Sequence, residues 1–289
     1  MLSIQNVVKT YGSRVRAVND LSLQLSAGVV GLIGHNGAGK TSLMQMIATL
    51  TRPTSGQILF DGSDIVKKPN AIRQRLGYLP QDFGIYPNLT ALEFLRYFAA
   101  LKGVCDSARI RHLLELVNLH EHASRVASTF SGSMRRRLGI AQALLNDPDI
   151  LIVDEPTAGL DHEERLRFRQ LLSEIGFKKL VIISTHIVSD IENMAGHLAI
   201  MRNGKLVAYD TPESFVQQGR GQIWSATVDT QQYDLLSQQV QVLQAQRQAS
   251  GISLRIAHPH SPCHGAQIVE PTLEEALMSR RYAVQELAA

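Results

Sequence analysis

Cysteine is nearly absent. Cys105 and Cys263 are the two in 289 residues, and neither sits in a CxxC pair. Two cysteines exclude a disulfide framework, and such scarcity fits a reduced, cytosolic setting. Long apolar runs are missing as well. None approaches the roughly 20 residues needed to span a bilayer, so the chain is not expected to cross a membrane alone. Its first residues, MLSIQNVVKTYGS, lack the basic and apolar regions of a secretory leader, and none is expected. Charge of one sign is also scarce. Lys and Arg number 29 against 26 Asp and Glu, a formal net charge of +3. That is too small by itself to argue for nucleic acid or an anionic membrane surface. Glycine (21) and proline (10) are too few for a collagen-like or low-complexity chain. No internal repeat and no sustained heptad is present. What remains is ordinary globular usage, 44% hydrophobic and 19% charged, at a length that suggests about two domains or one large one.

Up to about residue 212 the pattern is α/β. Val29–Ile33, Ile150–Val153 and Leu180–Ile183 are short, β-branched apolar runs that read as buried strands. Lys40 to Leu50 reads as a helix. Between the last two strands Phe168, Leu171, Leu172 and Ile175 fall on one helix face. Strand, helix, strand in that order implies a parallel sheet with crossovers. From about Leu89 to Leu145 the pattern is mainly helical, with Ile110, Leu113, Leu114 and Val117 on one face, and reads as an insertion between strands. Near residue 215 the composition shifts. Gln217 to Gly221 reads as a linker, Gln222–Val228 as a strand, Tyr233–Val242 as a helix and Ile252–Ile256 as a strand with one wet face. His258 to Gly265 reads as a loop. Pro271 to Tyr282 reads as a closing helix, with Thr272 near its start and Glu274 and Glu275 in its first turn. This part is a small α+β domain.

Gly34-His35-Asn36-Gly37-Ala38-Gly39-Lys40-Thr41 matches GxxxxGK[ST] between an apolar strand and a helical run, the context that gives this motif meaning. The glycines let the backbone curl so that successive N–H groups point at phosphate oxygens. The helix N-terminus adds partial positive charge. Lys40 reaches the β- and γ-phosphates, and Thr41 offers a hydroxyl to Mg²⁺. A second set of groups follows a buried strand: Ile150-Leu151-Ile152-Val153 ends in Asp154 and Glu155. Asp154 is placed to hold the metal's water shell. Glu155, one residue on, is placed to polarise a water attacking the γ-phosphate. An isolated Asp-Glu pair is usually a surface turn; the apolar run before it and the phosphate loop upstream reverse that reading.

In this order of motifs, residues 1 to about 215 resemble the nucleotide-binding subunit of an ATP-binding cassette (ABC) transporter. The resemblance implies a P-loop NTPase fold: a RecA-like parallel sheet core with N-terminal antiparallel strands, a helical subdomain at about 84–146, and an ATPase domain at 1–215. The small accessory domain would then occupy 220–289. It implies ATP and Mg²⁺ as cofactors, with Ser42 joining the nucleotide-binding residues of the phosphate loop. Tyr11, in Lys9-Thr10-Tyr11-Gly12, matches the family's adenine-stacking aromatic, though by itself it reads equally as a packing aromatic on a strand. Gln81, in Tyr78-Leu79-Pro80-Gln81, matches the glutamine that touches Mg²⁺ and links to the membrane partner. Ser131, Gly132 and Ser133 match the signature that acts on nucleotide bound to a second copy. Gly159-Leu160-Asp161 matches the dimer-contacting loop. His186, in Ser184-Thr185-His186, matches the switch histidine. It stands just after an apolar strand, where parallel sheets place ligand groups.

The signature departs from the family's Leu-Ser-Gly-Gly-Gln. Ser133 replaces the second glycine and Met134 the glutamine. A Cβ at a positive φ is strained, whereas a helical φ at Ser133 is not. Arg135, Arg136 and Arg137 read as a solvated helix face. Phe83 to Tyr97 reads both as core of the helical insertion and as part of a groove for a membrane partner's helix. His258, His260, His264 and Cys263 cluster in one loop but lack the two-pair spacing of a structural zinc site. The expected function is an ATPase subunit, cytoplasmic and peripheral on the membrane through its partner. It would power a separate integral membrane transporter together with a second ATPase subunit, and no nucleic-acid partner is expected. The segment IYPNLTALEFLRYFAALKG and the C-terminal PTLEEALM resemble the ABC-2 exporter type. The alternative is a soluble ABC-type ATPase that remodels ribosomes or DNA. Against it stand one cassette rather than two and no long coiled coil. A GTPase is less favoured still, because no Asn-Lys-x-Asp is present.

Overall fold

The structure is a computed structural model that describes residues 1–12, 15–157 and 160–286, with side chains through Ser279. The chain divides into two compact units, Met1–Tyr209 and Asp210–Ala289.

The first unit begins with β1 (Leu2–Tyr11) and β2 (Val15–Leu25), which pair antiparallel. β3 (Gly28–Ile33) then starts a second sheet and leads through residues 34–39 into α1 (Lys40–Ile47). β4 (Ser55–Phe60) returns to pair with β1, and β5 (Ser63–Asp64) pairs with β4. The link between β4 and β5 is Asp61-Gly62, with φ of 47° and 80°. Those left-handed values are what a two-residue hairpin requires and what Asp-Gly supplies. α2 (Pro69–Arg73) precedes β6 (Leu76–Leu79). Three helices follow: α3 (Ala91–Leu101), α4 (Ser107–Leu116) and α5 (Gly132–Ala143). The chain then re-enters the sheet as β7 (Ile150–Asp154), crosses over through α6 (His162–Gly176) and continues as β8 (Leu180–Thr185). β9 (His197–Arg202) and β10 (Lys205–Asp210) close the unit, joined by Asn203-Gly204 at φ 49° and 77°.

The antiparallel sheet has the order β2-β1-β4-β5, and the larger sheet the order β10-β9-β3-β8-β7-β6. Within the larger sheet β6, β7, β8, β3 and β9 run parallel. The C-terminal ends of five strands therefore share one edge. Helix α1 is buried between the sheets. Its Leu43, Met44, Met46 and Ile47 join one buried cluster with Leu2, Ile4 and Ile58 of the first sheet and Val30, Leu32, Ile152 and Ile182 of the second. Each such side chain contributes roughly 1.5–3 kcal/mol by leaving water. The face expected on α4 is buried as the periodicity requires: Ile110, Leu113, Leu114 and Val117 are each 4% exposed or less. Capping fixes where the helices start. Thr90 and Glu93 form a reciprocal capping box on α3, and Asp106 caps α4 by accepting from Ala108 N at 2.8 Å.

The second unit holds α7 (Pro212–Gly219), β11 (Ile223–Val228), α8 (Thr230–Gln239), β12 (Gln241–Gln248), β13 (Gly251–Ala257), β14 (Gln267–Ile268) and α9 (Leu273–Glu286). Its antiparallel sheet has the order β12-β13-β11-β14 and encloses a small core of Ala226, Val228, Leu236, Ile252, Leu254 and Ile256. Two sequence expectations differ here. The linker expected from Gln217 is instead the last turn of α7, which Thr211 caps by accepting from Ser214 N at 3.2 Å. The helix expected to run to Val242 stops at Gln239, and Gln241–Gln248 form a strand. That strand is mostly exposed along its second half and so carries little apolar alternation; its pairing with β13 decides its state.

Candidate functional site

The loop at Gly34–Thr41 joins the buried strand β3 to the buried helix α1, and its glycines are there for space and for conformation. A Cβ on Gly34 would lie 2.4 Å from Met201 O. On Gly39, whose φ is 101°, it would lie 2.2 Å from Ala17 O. Gly37 has φ 83°. Gly39 is the N-cap of α1 and has no side chain to satisfy the first-turn N–H groups, which leaves them for an anion. His35 and Asn36 are exposed, Ala38 is buried, and Thr41 and Ser42 lie in the first turn of α1. Lys40 is only 6% exposed. Its Nζ donates to Gly34 O at 2.7 Å and His35 O at 3.3 Å, so the ammonium folds back over the loop. Burial pushes its pKa down, and the charges of Glu155 and Asp154 act against that shift.

Parallel register brings the remaining groups to the same edge. Ile33 pairs with Thr185, Asp154 with Ser184 and Leu79 with Val153. Asp154, Glu155, His186 and Gln81 therefore leave three neighbouring strand ends. Ser184 Oγ donates to Asp154 Oδ1 at 2.5 Å and accepts from Glu155 N at 2.9 Å. Glu155 is 8% exposed and has φ 48°. The Nδ1 of His186, half exposed, lies 2.8 Å from Glu155 Oε2; a carboxylate only accepts, so the ring donates. Tyr78 on β6 has its hydroxyl pKa pushed up to about 12, by burial first and by the Asp154 charge second.

The chemistry of these donors fits Mg²⁺. Asp154 Oδ2 is buried and finds no hydrogen-bond partner among the described residues, an orphan that a cation's water shell would satisfy. The Thr41 hydroxyl and Gln81 amide oxygen are hard oxygen ligands of the same type. Among the described residues no cluster of three or more His, Cys, Asp and Glu could hold a metal by itself. A metal carried in with phosphates needs no such cage.

The other sequence-derived residues lie apart from this edge or are engaged locally. Tyr11 ends β1, is 39% exposed, and has Lys9 Nζ 4.9 Å from its ring centroid. Ser131 is the N-cap of α5, accepting from Met134 N at 3.2 Å; Ser133 Oγ lies 2.9 Å from Ser131 Oγ, and Gly132 has open space around it. Ser133 has no positive φ and lies in the first turn of α5, so the added Cβ is unstrained. Asp161 caps α6 by accepting from Glu164 N at 2.8 Å. Gly159 lies outside the described residues. In the second unit His258 Nδ1 pairs with the backbone of His260.

One expectation is overturned. Of the three arginines, Arg135 is exposed, but Arg136 and Arg137 are not a solvated face. Arg137 donates to Val117 O and Asn118 O at 3.3 and 3.1 Å and faces Glu164 at 3.5 Å. Arg136 Nη1 donates to Gln81 O at 3.1 Å. Burial lowers the Arg136 pKa, opposed by the charges of Asp82, Asp154 and Glu155. Spacing along α5 shows the face on which these side chains leave the helix, not what the sheet places against it. Ser184, Arg136 and Asp190, whose Oδ2 accepts from Thr157 Oγ1, are among the groups near the site that the motif reading does not assign. Ser184 had a signal, its place beside His186 in one tripeptide; the other two had none.

A family profile described as "ABC transporter" matches residues 18–158. The chain is 36% identical over 226 residues to the Nod factor export ATP-binding protein I of Cupriavidus metallidurans, which covers 76% of this chain and 74% of that one. It is 36% identical over 214 residues to the ABC transporter ATP-binding protein NatA of Bacillus subtilis, covering 72% and 87%. The chain belongs to the ABC transporter ATP-binding family. A solved dimeric bacterial ABC transporter cassette superposes with a TM-score of 0.67 at 26% identity, covering 73% of this chain and 98% of that one. The P-loop NTPase fold expected from the motifs is thus the fold observed. The ABC cassette hydrolyses ATP and works with a second ATPase subunit and a membrane partner.

Proposed function

We propose that this ABC subunit powers export through a separate membrane-spanning partner, from the cytoplasmic face of the membrane, with Mg²⁺ bound alongside ATP. The relatives named above are transport ATP-binding proteins, one of them named for export, and neither favours ribosomes or DNA. No helix among the described residues is long and apolar enough to cross a membrane, which fits a subunit that borrows its membrane path.

The observation that carries the chemistry is the shared edge of β3, β7 and β8. In this reading Gly34–Ser42 cradle the phosphates and Lys40 turns from the loop carbonyls to the β- and γ-phosphates. Thr41, Asp154 and Gln81 would hold Mg²⁺, which when bound would supply positive charge beside the phosphates. Glu155 accepts a hydrogen bond from the attacking water and orients it in line. His186, already bonded to Glu155, holds the γ-phosphate. Tyr11 stacks on the base. Ser131, Gly132 and Ser133 cap the γ-phosphate held by a second subunit, and Asp161 lies at the contact between the two. Residues 1–215 are the ATPase domain and 220–289 an accessory domain.

The segment from Phe83 to Leu101 serves two purposes. Phe94 and Leu95 are buried, whereas Tyr86, Tyr97 and Leu101 are 48, 44 and 66% exposed. The Tyr86 and Tyr97 rings meet edge to face at 5.4 Å. This exposed aromatic face is where a helix of the membrane partner would dock. Affinity purification in mild detergent tests the proposal: a multi-span membrane protein should co-purify, and Tyr97→Asp should reduce its recovery while leaving the chain's own ATP binding intact. Recovery of ribosomal proteins or DNA in place of a membrane protein would refute it.

A further inference from the structure

Glu155 holds a backbone conformation, φ 48°, that favours glycine. Such a geometry persists when its surroundings over-determine it, and here one segment, Ser184 to Asp190, touches the turn at three points. Ser184 Oγ accepts from Glu155 N, His186 Nδ1 meets Glu155 Oε2 at 2.8 Å, and Asp190 Oδ2 accepts from Thr157 Oγ1 at 2.5 Å. The first two contacts act on Glu155 itself. The third acts two residues further on, across Pro156, and the ATPase reading makes no use of it.

Asp190 is 3% exposed and Thr157 2%. A carboxylate that deep is retained only when it is partnered. Its second oxygen faces Arg165 Nη1 at 3.9 Å, and Arg165 Nε donates to Leu160 O at 3.1 Å. Asp190 is itself held firmly. Arg169 Nη1 donates to the neighbouring Ser189 O at 2.8 Å. The next residue, Ile191, sits so close to β3 that a Cβ on Gly31 would lie 2.5 Å from Ile191 Cδ1. The sheet therefore fixes Asp190, and Asp190 fixes Thr157. Pro156, whose ring locks φ, makes the link from Thr157 back to Glu155 stiff.

We propose that Asp190 is a positioning residue for ATP hydrolysis: through the Thr157 hydroxyl it pins the turn Glu155-Pro156-Thr157, so that the Glu155 carboxylate is already aimed before a water arrives. The proposal rests on the reading of Glu155 as the group that orients water. It assigns Asp190 no contact with nucleotide, so its loss should appear in turnover and not in ATP affinity.

The test uses the full chain, with steady-state ATPase rates and ATP affinity by calorimetry on Thr157→Val, Asp190→Ala, Asp190→Asn and a Glu155→Gln control. Thr157→Val and Asp190→Ala should lower kcat by about ten- to a hundredfold, the scale of a misaimed reacting group. ATP Kd should stay within about twofold. Asp190→Asn keeps an oxygen that accepts from Thr157 and should retain kcat within about threefold of wild type. The double variant Thr157→Val with Asp190→Ala should be no slower than the slower single one, because both remove one link. A kcat for Thr157→Val within about twofold of wild type overturns the proposal, as does a parallel loss of kcat and ATP affinity in that variant. An Asp190→Asn variant as slow as Asp190→Ala also overturns it. Should Asp190→Ala not fold, Thr157→Val, which preserves side-chain shape, and Asp190→Asn decide the matter. A Glu155→Gln control as fast as wild type defeats the underlying reading, and this proposal with it. A slow control beside a normal Thr157→Val defeats this proposal alone.

Discussion

Lys40 and Glu155 are both buried ionisable groups held in place before any phosphate is bound, and they do different jobs. Lys40 is parked on the carbonyls of Gly34 and His35. On the proposed reading, the ammonium exchanges these neutral acceptors for anionic ones when phosphate enters, which adds ion-pair attraction in a site poor in water. Lys40→Ala should therefore weaken ATP binding itself, and calorimetry should show it; unchanged affinity would remove the phosphate loop from the site. Glu155 tolerates a left-handed φ that costs on the order of 1–3 kcal/mol because Ser184, His186 and Thr157 leave its turn no better choice. Glu155→Gln keeps shape and backbone bonds and removes the charge. Turnover should fall by about two orders of magnitude or more, the scale of a general base, with ATP affinity preserved. A Gln variant turning over at the wild-type rate would end the role given to Glu155.

Elements are decided by their ends and by what packs on them. The helical insertion is a case. Its helices start at Thr90, Asp106 and Ser131, each a side-chain cap. Near the C-terminal end of α3, Lys102 reaches Asn146 Oδ1 at 2.8 Å and Gln142 O at 3.3 Å, with no carboxylate partner among the described residues. Burial alone lowers its pKa to about 8 from 10.5. The folded state thus holds this proton less tightly than the unfolded chain does. Between about pH 8 and 10.5 the unfolded chain binds more protons, so the destabilising contribution of the buried ammonium is relieved as pH rises through that window. Lys102→Met should flatten that rise. Chemical denaturation of both proteins at pH 7.5, 8.5 and 9.5 checks it, and parallel pH dependences would show that Lys102 titrates normally. The expectation for Arg136 and Arg137 fails at this same scale. A run of three arginines looks solvated until β6 and its following loop, at Gln81, are laid against α5.

The whole chain is two units with separate cores, and every residue proposed for phosphate, metal or switch roles lies in the first. A chain ending at Thr211 should fold and bind ATP. The cut belongs there and not at Gly219, because α7 packs on α9 within the second unit: a Cβ on Gly219 would lie 2.9 Å from Ala276 Cβ. Loss of nucleotide binding in the shortened chain would show that the accessory part supports the ATP site. A second test concerns the pair of subunits. Ser131→Arg should block closure of two subunits without harming ATP binding to one, whereas Lys40→Ala damages binding itself. In a mixed dimer one site carries both defects and the other neither. ATPase activity of the mixture above that of either variant alone supports sites shared between chains. No recovery, in mixed dimers shown to form and with obligatory coupling of the two sites excluded, opposes it.

Much of this was legible from the chain alone, for a physical reason. A phosphate cradle needs glycine at particular places, a lysine at its end and a strand before it. A metal site at a sheet edge needs an apolar run that stops in a carboxylate. Those requirements are local, so the residues proposed for both, Gly34–Thr41 and Asp154-Glu155, and the buried strands β3, β7 and β8 can be read in sequence order. Tertiary structure decided what depends on neighbours distant in the chain. Register between β7 and β8 set Ser184 against Asp154 and Glu155. Packing of the segment after His186 buried Asp190 on Thr157, 33 residues away. Pairing with β13 made a strand of Gln241–Gln248, whose own pattern names no state. Periodicity records which face a side chain leaves by; only the fold determines what it meets there.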